Sequence, residues 1–169
     1  MERFQKGQRI VYGNAGVCEV EEIGQKRFAD MEAKEYYTLR PIFETGNDRL
    51  YVPTASDAAL RLIVAPEEAE SYLEEMKDLE VEVFNGKGQT ALAEHYQELM
   101  QKHSIEGYLR LFKEICKKES LQKSKGRKLN AVDKHFYMLA EQLLSEELAV
   151  SLQQSPSDMR KTLRAAAAA

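Results

Sequence analysis

Few residues in this chain are of the types that do chemistry, and their spacing isolates most of them. His95, His103 and His135 fit no His/Cys ligand pattern for zinc. They read as surface or boundary side chains. Cys18 and Cys116 lie far apart in unlike segments, so both are expected to be reduced thiols packed as small apolar groups. "GKGQT", residues 86–90, lacks the earlier glycine and the adjacent hydroxyl of a phosphate loop and reads as an interhelix turn. The glutamates between 67 and 82 fall opposite Tyr72, Leu73 and Met76, which makes them a solvated helix face rather than acid/base pairs. No Ser, His and Asp grouping suggests a nucleophile. The expectation is a protein that is not an enzyme, with no cofactor, no metal site and no small-molecule substrate.

One cluster is harder to set aside. Lys117, Lys118, Lys123, Lys125, Arg127 and Lys128 fall within residues 117–128, opposed only by Glu119. Clustered cations neutralise phosphates, which gives sequence-independent, salt-sensitive contact with nucleic acid. A plain basic surface is the alternative. The formal net charge is −4, yet residues 65–99 carry ten carboxylates against two cations, and residues 100–128 carry nine cations against three carboxylates. A mildly acidic chain thus hides a basic segment.

The elements that must position these groups change character partway along the chain. With 169 residues there is room for one ordinary domain or two small ones. The longest apolar run, around 60–65, is far below the roughly 20 residues of a membrane span, and residues 1–9 lack the apolar core of a secretory signal. The cytoplasm is the expected compartment. Ile10 and Tyr12, Cys18 and Val20, and Tyr37 and Leu39 alternate with polar residues, the period-2 sign of half-buried strands. "ETGND", residues 44–48, is a turn, and "RLYVP" a short strand closed by Pro53. Beyond residue 54 the period becomes helical. Pro66 suits a helix start, Ser104 and Asn130 can cap two more, and Pro156 stops or restarts the chain. "KKESLQKSKGRK" is expected to be a loop or a frayed helix end, and the run 165–169, all alanine, carries no pattern.

The order of these parts resembles a known family. "FQKGQRIVYGNAGV" is similar to the opening of the CarD/CdnL family of bacterial transcription regulators, usually F-x-x-G-D-x-V-V-Y-P-x-x-G-V. "EYYTL" and "YVP" stand where that family has its next two strands, and residues 129–148 resemble its L-S-x-x-E-K-x-M-x-x-x-A-x-x-x-L-x-x-E-L helix. The resemblance implies an α+β protein: a small five-stranded Tudor/SH3-like β module over 1–55 and a compact all-α domain over 62–164. It implies a non-enzymatic regulator that binds the RNA polymerase β subunit and modulates initiation and open-complex stability at promoters. By the same resemblance Arg27 matches a polymerase-binding position. Tyr51 stands where some members have a second arginine, with Arg49 on the same face. Lys134 and His135 occupy the start of the DNA-facing helix. Together with Lys117, Lys118, Lys123, Lys125, Arg127 and Lys128 they form the expected DNA-binding set. The family's tryptophan wedge has no counterpart, since the matching stretch reads "GQTAL" and the chain contains no tryptophan. Promoter DNA is therefore expected to be held weakly, mostly through its backbone. The rival reading is an adaptor or self-associating scaffold that never touches DNA.

Overall fold

The computed structural model describes residues 3–56 and 58–169. The chain divides into two compact units, Met1–Ile63 and Val64–Ala169, and the architecture is α+β, a five-stranded antiparallel sheet followed by five helices.

The sheet is built from β1 (Arg9–Tyr12), β2 (Gly16–Lys26), β3 (Lys34–Pro41), β4 (Leu50–Pro53) and β5 (Leu60–Leu62), in spatial order β4-β3-β2-β1-β5. The alternation expected from the sequence sets which face is buried. Ile10, Cys18, Val20, Tyr37, Leu39, Val52 and Leu60 point to one side and close over Phe4 as a single core. A 3-10 turn, Gly13–Ala15, joins the first two strands, and Gly16 leaves it at φ 74°, a backbone conformation open to glycine and strained for other residues. The register of β2 on β3 slips between Val20 and Glu22, so Glu21 sits in a bulge. The fifth strand lies past residue 55, where the β module was expected to end. It is three residues long, too short for periodicity to reveal, and exists because Leu60 and Leu62 pair with Tyr12 and Ile10.

The helical unit comprises α1 (Pro66–Asp78), α2 (Gln89–Gln101), α3 (Ile105–Ser124), α4 (Ala131–Leu152) and α5 (Pro156–Ala168). Its core takes Tyr96 from α2, Leu111 and Phe112 from α3, Leu144 and Leu148 from α4, and Met159 from α5. The starts follow local chemistry. Pro66 and Pro156 occupy first-turn positions, and the Ser104 and Ser155 hydroxyls accept the Gly107 and Asp158 N–H groups at 3.1 Å each. Among the described residues, no helix is long and apolar enough to cross a membrane.

Two expectations are corrected. Of the two readings of 117–128, a loop or a frayed helix end, the loop is wrong for 117–124: its Lys, Glu, Leu and Gln residues are strong helix formers that carry α3 through to Ser124. Gly126 (φ +71°) then ends it in a Schellman turn, with the Arg127 N–H on the Gln122 carbonyl at 2.8 Å and the Gly126 N–H on that of Lys123 at 3.1 Å. The alanine run is also structural. Alanine has the highest helix propensity, α5 continues to Ala168 rather than stopping near 164, and Ala166 is buried.

Candidate functional site

In the β unit the three residues expected at a polymerase contact have different surroundings. Arg27 follows β2 directly and is exposed, its Nε donating to the Met31 carbonyl at 3.1 Å, so the turn after β2 orients it. Tyr51 is 44% exposed on β4, on the face opposite the core. Phe28 leans on Tyr51 at 5.2 Å and on Tyr36 at 5.1 Å, and the Lys26 ammonium lies 5.6 Å from the Tyr51 ring centre. Arg49 is committed elsewhere: its Nε donates to Glu21 Oε2 at 2.7 Å, while Arg40 bonds Glu21 at 3.4 Å and Glu19 at 3.2 Å. This carboxylate–guanidinium ladder braces β2, β3 and β4 across the bulge. Arg27 and Tyr51 therefore flank an aromatic patch beside β4, which pairs on one side only within the sheet. Phe28 was not expected at the site; its signal was the one aromatic residue in the segment between β2 and β3.

The basic residues of the helical unit separate into two groups once side chains are placed. Lys118 is spent internally: its Nζ meets Asp133 Oδ1 at 2.9 Å, with the carboxylate wholly buried. Lys117 donates to the Val81 carbonyl at 2.7 Å, and the buried Lys113 donates to the Met76 and Lys77 carbonyls at the end of α1. Lys123, Lys125, Arg127, Lys128, Lys134 and His135 are exposed, as is Lys117. Among the described residues, none of the five cations Lys123, Lys125, Arg127, Lys128 and Lys134 has an ion pair or a side-chain hydrogen bond. His135 only sets its ring edge against Phe136 at 5.1 Å. Lys123, Arg127, Lys128 and Lys134 line one groove of about 590 Å³, and helicity carries Lys117 and Lys118 away from it.

Asp133 is the polar centre of this unit. Oδ1 also accepts the Tyr96 hydroxyl at 2.7 Å, Oδ2 accepts the Asn130 N–H at 3.2 Å, and the Asp133 N–H returns to Asn130 Oδ1 at 2.8 Å. The last two bonds form a capping box, whose N-x-x-D spacing at 130–133 was its visible sign. Burial, with the Asp133 hydrogen bond second, holds the Tyr96 phenol well above its usual pKa. His95 Nε2 reaches both oxygens of Glu114, at 2.8 and 2.9 Å, beneath a stacked Phe84 ring. Burial, reinforced by Glu119 and Glu141, pushes the Cys116 thiol up to about 12, which makes it a poor nucleophile. Among the described residues, no group of His, Cys, Asp and Glu side chains could hold a metal ion.

The β unit is thus a small antiparallel sheet with an aromatic and cationic rim beside its edge strand β4. Residues 4–64 match the family model described as the CarD-like/TRCF RID domain, so the β unit is a domain of that family. That family is one of protein-interaction domains rather than enzymes. No curated protein matches the chain.

Proposed function

We propose that the protein docks on the RNA polymerase β subunit through its β unit and modulates transcription initiation at promoters. The carrying observation is the family match over the sheet, joined to the exposed Arg27 and Tyr51 beside edge strand β4. A partner strand added to that edge would gain main-chain hydrogen bonds, while the patch beside it would select side chains. Arg27 and Tyr51 serve as contacts in this reading, and Arg49 holds the strands in register from within its bond to Glu21. In the helical unit, promoter DNA is met by Lys123, Lys125, Arg127, Lys128, Lys134 and His135. Lys118 leaves that set because its ammonium is paired with the buried Asp133, and Lys117, bonded to the Val81 carbonyl, lies outside the groove.

The test is binding of the full chain to the isolated β-subunit lobe that the family contacts. Arg27→Glu should weaken it about tenfold, since a reversed rim charge impairs both encounter and pairing. Absence of binding by the parent chain would end the reading. Equal binding by the variant would remove Arg27 from it and leave docking intact.

A further inference from the structure

Contact with phosphates explains the rim of the groove at the α3–α4 turn but not its floor. The floor is Leu129, Tyr137 and Met138, and Met138 is 69% exposed, a large apolar side chain held in water among cations. Of the residues lining the groove, Glu119 is the only carboxylate. We infer that this groove is a docking site for an acidic amphipathic helix of a partner protein, whose apolar side chains seat on Leu129 and Met138 while its carboxylates meet Lys123, Arg127, Lys128 and Lys134.

Three observations select this occupant. The four cations lack partners among the described residues, so the groove presents concentrated positive charge that an acidic segment complements. The Tyr137 ring is already stacked on Phe112 at 5.0 Å, and its hydroxyl donates to Glu141 at 3.1 Å. One ring face is thus taken, and the exposed part of the floor is the flexible side chain of Met138 beside Leu129, suited to leucine-like side chains. Pairing of two such grooves face to face is disfavoured, because it would oppose cation to cation. Methionine suits the role: its flexible, polarizable side chain adapts to the apolar face of a helix. The inference does not depend on what the β unit binds, and the helix competes with DNA for the four groove cations.

The experiment uses the full chain and a fluorescent peptide of about 15 residues held helical by a side-chain cross-link, since a helix of that length is marginal alone. The peptide has leucines at i, i+3, i+4 and i+7 and glutamates elsewhere. A control peptide replaces the leucines with alanine at unchanged charge, and duplex DNA is a third probe. The leucine peptide should bind and the alanine peptide should bind at least tenfold more weakly. Met138→Lys is the deciding variant. It removes apolar contact and adds a cation, so it should weaken the peptide about tenfold, the scale of one buried apolar side chain, while DNA affinity holds or rises. Met138→Gln should weaken the peptide without a charge change, and circular dichroism checks that both variants keep their helices. No binding of the leucine peptide, equal binding of both peptides, or indifference to Met138 overturns the inference. So does DNA bound more tightly than the leucine peptide.

Discussion

Asp133 shows how one side chain can govern a whole unit. It is completely buried, yet four groups converge on it: the Tyr96 hydroxyl, the Lys118 ammonium, and the Asn130 amide and carboxamide through the capping box. These tie α2, α3 and the start of α4 together. Removing the carboxylate strands a mostly buried ammonium and an unpaired phenol. Breaking one partner of such a pair costs about 3–5 kcal/mol. Asp133→Ala should lower stability by that amount in urea denaturation, and a loss below about 1 kcal/mol, the scale of an exposed pair, would mean that Lys118 and Tyr96 find water instead.

Two glycines set the geometry of α3 for different reasons. Gly126 ends the helix at φ +71° with open space around it, so a methyl group there meets only backbone strain. Gly126→Ala should cost about 1–2 kcal/mol, the penalty for an L-residue in that region. Gly107 sits in the first turn of α3, where an added Cβ would fall inside contact distance of the Leu99 carbonyl oxygen on α2. Since backbone cannot give way as a flexible side chain does, Gly107→Ala should be the more damaging of the two. Thermal melts of both variants check the order, and the reverse order would show that α2 is free to shift. Helical propensity also carries α3 past Ile115, its last buried residue, and that overrun is what separates Lys117 and Lys118 from Lys123.

Across the whole molecule, charge is divided rather than merely summed. A chain of net charge −4 presents five exposed, unpaired cations at one end of its helical unit. If three to four of them meet phosphates, log affinity for duplex DNA should fall against log salt with a slope of about −3, at roughly −0.9 per neutralised phosphate. Replacing Lys123, Lys125, Arg127 and Lys128 by alanine should flatten that slope. Lys118→Ala should destabilise the fold but leave the slope unchanged, because its charge is already spent on Asp133. Affinities measured at several salt concentrations decide it. An unchanged slope in the quadruple variant would return the cluster to plain solvated surface. Contact this weak becomes useful only when a second module tethers the protein beside its target and raises the local concentration.

The sequence alone determined what local periodicity and local chemistry encode. Alternation placed Ile10, Cys18, Val20, Tyr37 and Leu39 on one sheet face, and 3.6-residue stripes placed Phe112, Leu144 and Leu148 in the helical core. Ser104, Asn130 and the prolines marked helix starts, since caps bond within three residues. Family motifs pointed to the polymerase-interacting class. What only the tertiary structure decided are bonds between residues far apart in the chain. Strand β5 exists through its pairing with β1, Arg49 is claimed by Glu21, Lys118 is claimed by Asp133, and Met138 is left in water among cations. A charge on a list of residues says nothing of whether a buried counter-charge already holds it, because that partner is brought near by packing and not by sequence distance.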